Sequence, residues 1–160
     1  MGSSREFVCV DIELCWSFIA ESLDSMVALV AGLDVLEMDW KPAIAEANSL
    51  GVLLTHTLKH AQQNLLQNVA GEPVARDRDA EFGASGRPGS DYVRQWEVLR
   101  GTLVQALSKT PEEALDRMTE HPRRGPISGR GTLLVVVRHA AEHLGHSQLT
   151  RDLLRASASA

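Results

Sequence analysis

The sequence predicts an all-α protein: a four-helix bundle with an extra short helix. Three observations carry this. Apolar residues recur at three- and four-residue steps over four long segments. Every proline falls between those segments rather than inside one. No convincing strand stands out, since the one β-branched run continues at helical steps far beyond strand length.

The first helix is expected over Val10 to Ala31, with Ile12, Trp16, Ile19, Leu23, Met26, Val27 and Val30 on its apolar face and Gly32 as its stop. Leu33 to Asn48 reads as a linker holding Trp40, Lys41 and Pro42. The second helix should begin at Asn48 or Ser49, either of which can cap it. It carries Leu50, Leu54, Leu58, Ala61, Leu65 and Val69 and ends at Gly71 and Pro73. A polar stretch from Arg76 to Phe82 and a Gly/Ser/Pro-rich loop from Gly83 to Gly89 follow. The third helix starts near Ser90 and shows Val93, Trp96, Leu99, Leu103 and Leu107. Thr110-Pro111-Glu112-Glu113 predicts a capped start for the short extra helix. His121 to Gly131, with two prolines and three glycines, reads as a loop. The last helix spans Thr132 to Leu154: Leu133 to Val137 alone would pass for a strand, but Ala140, Ala141, Leu144 and Gln148 extend the helical period.

A length of 160 residues fits one domain, residues 1–160, with 155–160 expected as a frayed tail. Hydrophobic residues make up 44% and charged residues 23%, values of a globular chain. The net charge of −5 removes the simplest reason to expect nucleic acid or an anionic membrane as partner. No apolar run reaches membrane-spanning length, and the N-terminus has no signal-peptide core. Cys9 and Cys15 lie six residues apart, form no CxxC motif and read as free thiols in a reducing compartment. A cytoplasmic protein acting on a small molecule is expected, with a homodimer as an option.

The histidines carry the chemistry. His139, His143 and His146 recur at i, i+4 and i+7 in the last helix, within a sector of about 60°. They line the edge of the buried face. His56 and His60 take a similar place beside the stripe of the second helix. A divalent transition metal is suited by imidazole nitrogens, and a pair at i and i+4 on a rigid helix supplies two with little reorganisation. A third from a facing helix would leave a position open for water or substrate. Periodicity does not choose between His56 and His60. His139-Ala140-Ala141-Glu142-His143 also matches the H-x-x-E-H peptidase pattern, with Glu142 as the base, but five residues without the further chain and the acidic ligand such enzymes bring do not support that reading.

The sequence resembles the DinB-like superfamily, small helical bundles that include bacterial thiol-dependent S-transferases and the mycothiol-dependent maleylpyruvate isomerase. The segment Asn48 to His56 is similar to the family's second-helix motif, whose histidine is a metal ligand. The resemblance therefore implies His56 as a ligand. The family's last helix reads His-x-x-x-His-x-Gly-Gln. Here it stands as His139 to His146, which implies His139 and His143 as the other ligands. Trp40-Lys41-Pro42 and the stretch from Gly71 to Phe82 also resemble one bacterial branch. His146 stands where the family shows Gln: it is a donor behind the ligands, a base for an incoming thiol, or a fourth ligand that closes the site.

The function expected from these readings is a divalent-metal enzyme of the thiol S-transferase kind. His56, His139 and His143 hold zinc or nickel, His146 is the catalytic candidate, and a low-molecular-weight thiol is the cosubstrate. A small-molecule hydrolase and a non-catalytic metal- or ligand-binding bundle are the alternatives. Arg76 and Arg78 read as an ion-pair cluster with Asp77 and Asp79 or as an anion clamp. Arg123, Arg124 and Arg130 read as surface charge or, if their loop covers the site, as substrate-binding cations. The tryptophans serve the core, with Trp40 an option for a pocket mouth.

Overall fold

The computed structural model describes residues 6–121 and 124–158, so residues 1–5, Pro122, Arg123 and the last two tail positions lie outside the described residues. In chain order the helices are α1 (Val10–Val30), α2 (Val35–Asp39), α3 (Leu50–Gln62), α4 (Arg78–Glu81), α5 (Gly89–Leu107) and α6 (Gly129–Ala158). A π-helical stretch, Gln63–Ala70, prolongs α3, and a 3₁₀ turn occupies Glu112–Asp116. Strands β1 (Met118–His121) and β2 (Gly125–Ser128) form an antiparallel hairpin, with Thr119 opposite Ile127.

The long helices α1, α3, α5 and α6 make the bundle, and local contacts fix their directions. Val8 N–H donates to Ser108 O, and Gly89 N–H donates to Leu33 O, so the start of α1 meets the end of α5 and the reverse. Arg130 at the head of α6 pairs with Asp11 at the head of α1. Tyr92, early in α5, donates its hydroxyl to Gly51 O, early in α3. The order is up, down, down, up.

The stripes expected for the first two long helices lie in the observed core, whereas Ala141 and Gln148 of the last helix are exposed. Ile12, Trp16, Ile19, Leu23, Met26, Val27 and Val30 of α1 are buried, as are Leu50, Leu54, Leu58 and Ala61 of α3 and Leu65 and Val69 beyond it. Trp16 and Trp96 lie with ring centroids 6.1 Å apart, and Trp96 Nε1 donates to Asp24 Oδ1 at 2.6 Å. Burial of this apolar area is the main stabilising term. Gly89 permits the tightest approach: a Cβ there would lie 1.7 Å from Val30 O. Gly89→Ala should therefore lower stability by about 3 kcal/mol or more in chemical denaturation; a change under about 1 kcal/mol would show that the α1–α5 approach relaxes freely.

Several local expectations are corrected. The linker after α1 contains α2, built by a capping box in which Asp34 Oδ1 accepts from Glu37 N–H and Glu37 Oε2 accepts from Asp34 N–H. Thr110 does not cap a helix. Its hydroxyl donates back to Ala106 O at 3.0 Å, closing the end of α5, so only a 3₁₀ turn follows. The loop expected at 121–131 is instead largely the second half of the hairpin and the head of α6. Strands of four residues, one holding Pro126, are too short to show alternation. The helix α6 begins at Gly129, before Thr132, and runs to Ala158.

Candidate metal centre

Ser49 caps α3 by accepting Val52 N–H at 3.2 Å, which sets the helix so that His56 faces α6. From α6, His139 and His143 project one turn apart. His56, His139 and His143 each offer one ring nitrogen, and these atoms lie within 4.8 Å of one another. Nε2 of His56 is 3.1 Å from Nε2 of His139. Two imidazole ligands on a tetrahedral zinc stand about 3.3 Å apart, given bonds of about 2.0–2.1 Å. The helix pair thus already holds two donors at close to that separation.

A carboxylate stands behind the first histidine. Glu81, at the end of α4, accepts from His56 Nδ1 at 2.9 Å and from Arg76 Nη2 at 2.7 Å, and it also accepts from Arg76 Nε. Burial alone would raise the Glu81 carboxyl, but the bonds and charges of Arg76 and His56 hold it below the ordinary range. An ionised carboxylate can only accept, so His56 carries its proton on Nδ1 and its Nε2 lone pair points toward α6. This is the arrangement that orients a metal-binding imidazole and raises its basicity. Nδ1 of His139 and of His143 is buried without a hydrogen-bond partner. A neutral, poorly solvated set of imidazoles with one carboxylate behind it fits a divalent transition metal.

The electrostatics keep these rings neutral. Burial first, then His56 and His146, pushes His143 down to about 4. His60 falls to about 3 through burial, then Arg76 and neighbouring imidazoles. His139 is lowered by burial and then by His60, His143 and His56. Burial also lowers His56, outweighing the pull of Glu81. Lone pairs are therefore available well below pH 6.5, where unfolded histidines already take up protons. Two consequences follow in sign. The metal-free fold loses stability as pH falls from about 6.5 toward 4, because the unfolded chain binds more protons there. Cobalt affinity measured against a competing chelator should change less than about tenfold between pH 7.5 and 5.5, whereas three ordinary imidazoles would lose roughly a thousandfold.

The remaining candidates sort by place. His60 is outside the three-histidine group, and its ring stacks on His139 with centroids 3.6 Å apart and planes at 12°. His146 is also outside the group, exposed beside His143 with ring centroids 5.4 Å apart. Glu142 is exposed and pairs with Arg138 at 3.1 Å, as a helix ion pair. Arg76 serves Glu81 rather than Asp77 or Asp79, and Asp77 instead caps α4. Arg130 is bound at the surface by Asp11, Glu112 and Asp116. Trp40 packs partly buried against the core. The Cys15 thiol is pushed up by burial, then by Asp11 and Cys9, which leaves it a poor nucleophile at neutral pH. Sequence reasoning missed Glu81 and the hydroxyl of Tyr92, which links α5 to α3.

Two cavities meet at the histidines. One of about 250 Å³ is lined by Val52, Leu53, Phe82 and all three of His56, His139 and His143. The other, about 690 Å³, touches His56, His60 and His139 and extends along the π-helical stretch to the hairpin. The π geometry begins where the Asn64 side chain donates to His60 O at 2.9 Å, the acceptor its own backbone N–H would use in an α-helix.

Fold and site together define a helical bundle with a three-histidine candidate metal centre between two facing helices. The chain belongs to the DinB superfamily, whose sequence model matches residues 19–147. Its fold is similar to the crystal structure of a conserved protein from Enterococcus faecalis: the TM-score is 0.64, the identity 16%, and the match covers 90% of this chain and 96% of that one. No curated protein matches the chain. Among the described residues no helix is long and apolar enough to cross a membrane.

Proposed function

We propose that this protein is a divalent-metal-dependent enzyme that transfers a low-molecular-weight thiol to an electrophilic small molecule. The observation that carries the reading is the group of His56, His139 and His143, backed by Glu81 and facing a cavity that all three line. His146 lies outside that group, which supports a site with a position left open. A zinc or nickel ion there would fix a thiol sulfur and hold it as thiolate.

The chain supplies the rest. Glu81 keeps the His56 proton on Nδ1, and Arg76 keeps Glu81 charged. Val52, Leu53 and Phe82 give the smaller cavity an apolar wall against which an electrophile can pack. His146 stands exposed beside His143 as the acceptor for the proton that the incoming thiol releases. A free thiol cosubstrate suits a reducing cytoplasm, and the chain's own cysteines are free.

The test is elemental analysis of protein purified without an affinity tag, followed by thiol addition to the cobalt form. About one metal per chain, and a thiolate-to-cobalt absorption band with 2-mercaptoethanol, are expected. Stoichiometric absence of metal after it is offered back overturns the reading. Metal without a thiolate band favours the hydrolase alternative.

A further inference from the structure

The two cavities lie end to end along one helix pair. The smaller reaches Val52 and Leu53, before His56 on α3, and Glu142 and His143, after His139 on α6, while Arg78 and Arg138 line both spaces. The larger is lined by residues after His56 and before His139, including His60, Asn64 and Val135. Because α3 and α6 run antiparallel, the His56–His139 contact is the boundary between the two spaces.

Their chemistry differs. The larger cavity carries a row of amides, Gln63, Asn64, Gln67 and Asn68, on the π-helical stretch. It also receives four guanidinium groups, and these are not equivalent. Arg76 is neutralised by Glu81 and Arg138 by Glu142. Arg78 and Arg124 have no carboxylate partner among the described residues. Arg78 lies over the Phe82 ring at 5.3 Å, and Arg124 comes from the hairpin turn. Among the described residues, Glu120 is the single acidic one lining the space. In a chain of net charge −5, two unpaired guanidiniums converging on an amide-lined cavity are a local reversal of sign. Planar guanidinium forks match carboxylate and phosphate oxygens, and amides match hydroxyl and peptide groups.

We infer that the larger cavity is a subsite for a small hydrophilic anion, a carboxylate or a phosphate ester, held between Arg78, which lines both cavities, and Arg124, which lines only the larger one. That this anion belongs to one of the two reactants rests on the function proposed above. The anion site does not, because none of its recognition groups is one of the three candidate metal ligands when the metal-free protein is used.

The experiment is calorimetric titration of the metal-free full chain with succinate and, separately, with inorganic phosphate. One site per chain is expected, with Kd on the order of 1 mM for so small a probe. Arg124→Gln should weaken it roughly tenfold, as loss of a charge-assisted hydrogen bond does. Arg94→Gln, an exposed arginine on α5, should leave it unchanged. Tighter succinate assigns a carboxylate, and tighter phosphate assigns a phosphate ester. No binding of either anion, or equal weakening by Arg124→Gln and Arg94→Gln, overturns the subsite. The cobalt–thiolate band with uncharged 2-mercaptoethanol reads the metal chemistry alone, so the two ideas fail separately.

Discussion

His139→Ala should reduce stoichiometric binding of a divalent transition metal to none, a loss of more than about a hundredfold in affinity. His139 is the ligand candidate that faces His56 most closely, at 3.1 Å between Nε2 atoms, so its loss removes one of the two donors already at metal-binding separation. The fold should survive. The substitution removes a ring whose Nδ1 is buried without a partner, and relief of that cost offsets part of the lost packing. Thermal unfolding of the metal-free forms checks this, and cobalt titration reads the binding. His60→Ala is the control. It takes away a ring stacked on His139 but none of the converging nitrogens, so the effect should stay within about tenfold. Equal losses from the two variants would overturn the choice of His56 over His60 on α3.

Glu81→Gln carries the second large effect. Gln can still accept the His56 proton but no longer presents a charge, so metal affinity should fall about 10- to 100-fold. Stability should fall as well, by about 3 kcal/mol, because the Arg76 side chain is only 8% exposed and loses its counter-charge. The double variant Arg76→Gln/Glu81→Gln separates the two roles. Removing both charges should recover much of the stability and none of the metal affinity. An unchanged affinity in Glu81→Gln would mean that His56 is oriented by packing alone.

The bundle was legible because its signal is repetitive. Every stripe residue named for α1 is buried, and Ser49 at the start of α3 is the cap expected there, whereas α6 overruns its expected bounds at both ends. The short pieces were harder for a physical reason. The helix α2 has a single turn, set by Asp34 and Glu37 alone, and the hairpin strands have four residues each, so neither repeats often enough to show a period. Thr110 misled because the same hydroxyl serves equally to close the preceding helix.

The site divides in the same way. His139 and His143 are visible as a pair because one helix carries both. Choosing His56 needed the family resemblance, since His60 occupies the same edge of the same stripe. Glu81 had no signal: it reaches His56 from 25 residues away through a loop, and only the fold brings it there. Arg76 and Arg78, alike in sequence, part in the structure. One is locked to Glu81 and the other faces two cavities.

The distance along the chain between His56 and His139 has a mechanical meaning. They are 83 residues apart, so a cation shared between them closes a loop of half the polypeptide. Closing so long a loop in the unfolded ensemble removes roughly 4–5 kcal/mol of chain entropy on the scale known for disulfides. The same ion that serves chemistry would thus act as a removable rivet, tying α3 to the last helix and slowing the chain's escape from the native state.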